Sequence, residues 1–128
     1  MSLRTRYTEE DDIVSLSTAE NGGDSYDVES DCWTIVDVPF DDGYRPVALE
    51  LMFVSRLIPL TTNSGYSSDT DTLIIGMGAD TAGRTEENGD LTAYWCRDGD
   101  DPEDWSLVAV SLRNASKYLA PVVAKPAG

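Results

Sequence analysis

The chain has 128 residues, 24 of them acidic and 9 basic, a formal net charge of -15 and no histidine. That length suits one domain with one hydrophobic core, and the missing imidazole excludes Ser-His-Asp and Cys-His nucleophile pairs, imidazole bases and histidine metal ligands. Two cysteines cannot build a four-thiolate zinc or iron–sulfur site, and a surface of this sign repels phosphate, which argues against a nucleic-acid partner.

Residues 1–30 are polar and acidic, with Glu9-Glu10-Asp11-Asp12, then Asn21-Gly22-Gly23-Asp24, and Ile13, Val14 and Leu16 as a small apolar cluster. They read as an extended N-terminal arm or a loosely attached first element. A short helix from Thr8 competes, because Thr8 with Asp11 is a weak capping-box pattern. From residue 31 to 120 the pattern changes to short apolar runs separated by turn residues, the expected β-domain. Cys32 to Val38 is rich in β-branched and aromatic residues and predicts a strand closed by Pro39 and Asp41-Asp42-Gly43. Val47 to Ile58 holds helix formers after Pro46, yet Leu49, Leu51 and Phe53 alternate with Glu50 and Met52, so a strand is preferred over a helix.

Pro59 ends that element, and 61–70 is a small-polar loop. Thr72 to Gly78 predicts a strand whose glycines suggest a bulge or the close approach of another backbone. Thr81 to Asp90 reads as a polar, hairpin-like connection, Leu91 to Cys96 as a strand, and 98–104 as a very acidic loop. Trp105 opens a last strong strand, Leu107 to Leu112, and Tyr118 to Val123 reads as a further strand or the start of an open C-terminal tail at 121–128. No internal repeat is visible. The expected fold is therefore all-β: a single antiparallel β-sandwich or jelly-roll-like domain with an N-terminal arm and a C-terminal tail.

Sixteen of the acids are Asp, and Lys117 and Lys125 are the only lysines. High Asp and scarce Lys resemble the bias of proteins that work in molar salt, where a Debye length of ~3 Å screens like-charge repulsion. No apolar run approaches the ~20 residues of a membrane helix, and no secretion signal is visible. The expected location is a virion or the cytoplasm of a high-salt host.

Hard cations such as Ca²⁺ take oxygen ligands from loops, so Asp98, Asp100, Asp101, Glu103 and Asp104 are the candidate metal ligands. Their spacing does not match an EF-hand, and a solvated acidic turn is the simpler reading. Tyr66 and Trp105, beside loops, are candidate ligand-stacking aromatics. Asp37 and Glu50, the acids inside apolar strands, are expected on the solvent face of a sheet. Asn114-Ala115-Ser116 matches the N-glycosylation acceptor pattern, which arises often by chance.

The segment Asp90-Leu91-Thr92-Ala93-Tyr94-Trp95-Cys96 is similar to the Asp-x-Ala-x-Tyr-x-Cys segment of immunoglobulin variable domains. The resemblance implies a sandwich, a tyrosine corner at Tyr94 and a Cys32–Cys96 bridge. The chain departs from that family because Trp33 is adjacent to Cys32 and no Trp lies near residue 45. With no secretion signal visible, two buried reduced thiols are preferred over the bridge.

Small acidic sandwiches with free termini also resemble decoration, turret or tail components of tailed viruses, an analogy of shape and composition. The expected function is that of a non-enzymatic structural protein, a virion component of a virus of a halophilic host. It would need no cofactor, and its partners would be further copies of itself or a larger virion scaffold. The alternative is a glycan- or Ca²⁺-binding sandwich module using loops 61–70 and 98–105.

Overall fold

In several short stretches, such as Ile13–Ser17 and Ala48–Met52, buried apolar side chains recur at every second position, and a residue pattern of period two buries one face of a strand. The computed structural model describes residues 3–18, 25–29, 35–41, 43–62, 65–76, 82–97 and 105–123. It folds them into ten strands in two antiparallel five-stranded sheets. Strands β1 (Arg4–Thr8), β2 (Ile13–Ser17), β3 (Ser25–Glu29), β4 (Ile35–Pro39) and β5 (Ala48–Met52) form sheet 1, in the order β1-β2-β5-β4-β3. Strands β6 (Tyr66–Ser67), β7 (Thr72–Gly76), β8 (Arg84–Asn88), β9 (Leu91–Arg97) and β10 (Trp105–Arg113) form sheet 2, in the order β6-β7-β10-β9-β8. The expected all-β sandwich is what the chain adopts. It differs from an immunoglobulin domain, whose sheets interleave strands from both halves of the sequence.

The two strand orders are the same order, so sheet 2 repeats sheet 1. One local device proves the correspondence. Asp12, in the β1–β2 turn at φ 56°, accepts the Val54 N–H on its carbonyl (3.1 Å), the Ser55 N–H on Oδ1 (3.1 Å) and the Ser55 hydroxyl on Oδ2 (2.5 Å). Asp71, in the β6–β7 turn at φ 51°, accepts the Ala115 N–H (2.9 Å), the Ser116 N–H (3.1 Å) and the Ser116 hydroxyl (2.6 Å) on the same three atoms. Phe53 and Asn114, both left-handed at φ 60° and 57°, lead into the short helical turns Val54–Leu57 and α1 (Ala115–Tyr118) that carry those donors. Asp71 also accepts the Tyr66 hydroxyl at 2.6 Å. Burial would raise its pKa, but the bonds from Ser116 and Tyr66 outweigh that and hold the carboxyl below its ordinary value.

With the repeats matched, Val47-Ala48, Leu51 and Ser55 align without gaps on Val108-Ala109, Leu112 and Ser116. Val36 pairs with Leu51 and Leu91 with Leu112, so counting four residues on places Phe40 and Trp95 at equivalent positions. These two rings meet between the sheets, centroids 4.6 Å apart, with Tyr26 and Tyr44 edge-on to Trp95 at 5.2 and 5.3 Å. Around them Val14, Leu16, Val38, Leu49, Leu51, Leu73, Ile75, Leu91, Val110 and Leu112 form the core.

Three stretches differ from expectation. Residues 1–30, expected as an arm or loosely attached element, supply β1, β2 and β3, because Val14 and Leu16 alternate with Ser15 and Ser17 and bury one face. The polar connection before Asp90 contains strand β8, whose inner position Asn88 is buried and donates to the Pro46 carbonyl at 2.8 Å. Residues 118–123 are helical, in α1 and α2 (Ala120–Val123), with Leu119 and Val122 buried. At 47–58 the preferred strand reading holds for Ala48–Met52, the helix formers themselves, and a 3-10 turn, Val54–Leu57, follows it after left-handed Phe53. Among the described residues no helix is long and apolar enough to cross a membrane.

Candidate functional site

The outward face of sheet 1 gathers charge that is scattered in the sequence. Leu3, Val14, Leu16, Val28, Val38, Leu49 and Leu51 point inward, so their strand neighbours point out. The register then places Arg6 opposite Ser15, Ser15 opposite Glu50, Glu50 opposite Asp37, and Asp37 opposite Asp27. One row across five strands thus runs from an arginine on edge strand β1 to three adjacent carboxylates ending on edge strand β3. Directly opposed like charges disfavour a sheet by roughly 0.2–1 kcal/mol per pair. Burial, opposed by a hydrogen bond from Ser25 and reinforced by the Asp27 charge, raises the pKa of Asp37.

A carboxyl whose folded pKa lies above its unfolded value of ~3.9 weakens the fold when ionised and is relieved as pH falls through its raised titration. Asp37→Asn should therefore raise the melting temperature in dilute buffer at neutral pH, by an amount worth up to about 1 kcal/mol. The difference from wild type should vanish toward acid pH and shrink in molar KCl. Melting curves over pH and salt check this, and an unchanged or lower midpoint for the variant in dilute buffer at neutral pH would contradict it.

Edge strand β1 is exposed from Arg4 to Arg6. Arg4 and Arg6 have no acidic partner among the described residues, whereas Arg45 pairs with Asp41, Arg84 with Glu86 and Arg113 with Glu87. β3, the other edge, exposes Ser25, Tyr26 and Asp27. The corresponding edges of sheet 2 are built differently. β6 has only two residues, and Glu86 and Glu87 on β8 are engaged by Arg84 at 2.7 Å and Arg113 at 3.9 Å.

The aromatic candidates do not converge. Tyr66 sits beside Leu73, itself paired with Leu112, while Trp105 lies seven residues away along β10, about 23 Å at ~3.3 Å per residue. Each is engaged. Tyr66 is half-buried and donates to Asp71, whose hydrogen bond and charge raise the phenol pKa together with burial. Trp105 packs against the core, and the Arg84 guanidinium lies 6.0 Å from its ring and 4.8 Å from that of Tyr44. Arg84 also donates to the Gly43 carbonyl at 3.3 Å, tying the turn after β4 to β8.

Asp98, Asp100, Asp101, Glu103 and Asp104 lie outside the described residues. Among the described residues no group of three or more Asp, Glu or Cys could hold a metal ion. Cys32 also lies outside them. Cys96 follows Trp95 on β9, and since Trp95 is fully buried between the sheets, alternation turns Cys96 to the outward face. A bridge of the immunoglobulin kind needs the inward position, which Trp95 occupies. Tyr94 likewise makes no tyrosine corner: its hydroxyl lies 3.3 Å from Ser111 Oγ on the neighbouring strand. The Asn114 amide nitrogen, the atom a glycan would modify, donates to Asp90 Oδ1 at 3.1 Å.

Sequence inspection missed Arg4, Arg6 and Asp27. The available signal was the alternation of Leu3, Thr5 and Tyr7 with Arg4 and Arg6, and of Tyr26 and Val28 with Asp27. Comparison of the chain with protein-family models, curated proteins and solved structures finds no match.

Proposed function

We propose that the chain is a non-enzymatic assembly subunit that works by packing against other protein subunits in concentrated salt, as a structural component of the virion of a halophilic host's virus. The observation that carries this reading is the build of sheet 1. Both its outer strands are five residues long and, among the described residues, pair with one neighbour each, one bearing arginines that have no acidic partner there and the other acid. Open edges are templates for another chain unless they are shortened, covered or charged against pairing. The row of carboxylates supports the saline setting, since its members stand a strand spacing (~4.8 Å) apart, beyond the ~3 Å Debye length at molar ionic strength, so their mutual repulsion is weakened there.

Sedimentation velocity and thermal melting, each in dilute buffer and in molar KCl, test the reading. A species larger than one chain and a melting midpoint that rises with salt are expected. A monomer in every condition that also fails to bind any protein scaffold would overturn the assembly role, and a midpoint that does not rise would overturn the saline one.

A further inference from the structure

Sheet 1 has a direction. Each neighbouring pair in the order β1-β2-β5-β4-β3 is antiparallel, so β1, β5 and β3 run the same way and the two edges are parallel to each other. Two copies can therefore be joined at these edges in two ways. A twofold contact sets β1 against β1, or β3 against β3, antiparallel. A head-to-tail contact sets β1 of one copy beside β3 of the next, in parallel.

The charges separate these arrangements. A β1–β1 contact brings Arg4 and Arg6 of both copies together on one face, and a β3–β3 contact does the same with Asp27 next to Asp37. Both oppose like charges across the new ladder. The head-to-tail contact continues the row of outward side chains, so that Arg6 of one copy follows Asp27 of the other. The two would stand one strand spacing apart, about 4.8 Å. That arginine would also compensate the Asp27–Asp37–Glu50 series, which has no cationic partner at its β3 end among the described residues. The alternation of faces is retained, because Thr5 and Tyr7 continue the inward side as Tyr26 and Val28 do.

The repeated half shows that this edge pair is particular to sheet 1. In sheet 2 the equivalent of β1 is cut to two residues, a way in which sheet edges are closed to partners, and the acids of the equivalent of β3 already have arginine partners within the chain, which leaves less charge there for a second copy. We propose that the β1 edge is a docking surface for the β3 edge of a second copy of this chain, joined in parallel with Arg6 against Asp27, so that sheet 1 runs on from subunit to subunit. Such a heterologous contact builds an open fibre or a closed ring rather than a twofold dimer. The inference rests on the assembly role proposed above.

The test is a charge exchange in the full chain, read by sedimentation velocity in dilute buffer and in molar KCl, with circular dichroism and melting to verify the fold. Arg6→Glu alone and Asp27→Arg alone each place like charges at the contact and should weaken association at least about tenfold in dilute buffer, less in molar salt. An equimolar mixture of the two variants restores opposite charges at every contact in alternating order, and assembly should return. The milder Arg6→Gln, which removes the charge without reversing it, should give an intermediate loss and serves if either reversal does not fold. Assembly that persists unchanged in both single variants, or that fails to return on mixing folded variants, would overturn this edge contact while leaving the assembly role standing. A wild-type chain that stays monomeric in every condition would overturn the contact; one that still binds a scaffold would keep the assembly role.

Discussion

Trp95→Ala should remove about 3–5 kcal/mol of folding stability, the range for truncating a large buried aromatic. Trp95 is fully buried where the two repeats meet, against Phe40, Tyr26 and Tyr44, and its Nε1–H donates to the Tyr44 carbonyl at 3.3 Å. Alanine would leave a cavity in contact with both sheets and an unpaired carbonyl in the turn that Arg84 also holds. Because domains of this size are stable by only ~5–15 kcal/mol, the variant should melt well below wild type or fail to fold at low salt. Trp95→Phe keeps most of the volume and should retain the larger part of the stability. Urea unfolding checks both. A cost of the alanine variant below about 2 kcal/mol would mean that the sheets are held together elsewhere.

Gly76→Ala should be nearly as damaging for a different reason. Gly76 ends β7 opposite Ala109 with φ 108°, a conformation that L-residues rarely adopt. A Cβ there would lie 2.4 Å from the Val108 carbonyl oxygen and 2.8 Å from both Ala109 Cα and Val28 Cγ1. Two of these are backbone atoms of a central strand, and the third belongs to the facing sheet, so none can yield locally. Backbone strain of ~1–3 kcal/mol adds to a packing cost of similar size. A loss of roughly 2–6 kcal/mol is expected by denaturant unfolding. Gly43→Ala is the control: its added methyl meets only Asp41 Oδ1 at 3.4 Å, and its stability should stay within about 0.5 kcal/mol of wild type. Equal, small effects at the two positions would contradict this account.

How readily each element could be read from sequence follows from how much apolar residue it buries. β4, β7, β9 and β10 are central or next to central, carry β-branched or aromatic residues, and stand out from their turns, whereas central β5, built of helix formers, was legible only by its alternation of Leu49 and Leu51 with Glu50 and Met52. β1, β3 and β8 are edges. They need one apolar face at most, and at β8 even the inner position Asn88 is polar, satisfied by a carbonyl remote in sequence. The repeat was hidden for a related reason. Its conserved content is a pattern of inward positions that many apolar residues satisfy, together with two Asp–Ser clamps whose partners lie 43 and 45 residues apart. Phe40 and Trp95 are equivalent in place and different in kind.

The candidate site divides in the same way. The acidity, the lack of histidine and the outward position of Asp37 and Glu50 are properties of composition and local alternation, so the sequence by itself determined them, as it determined the all-β class. That Asp27, Asp37 and Glu50 stand in one row that continues through Ser15 to Arg6, that Tyr66 and Trp105 are far apart, and that β1 and β3 are the outermost strands of sheet 1 were decided only in the tertiary structure. The reason is physical. Strand alternation is set within a few residues, whereas register and sheet order join residues tens of positions apart, and those pairings are selected by the packing of two facing sheets rather than by any local preference.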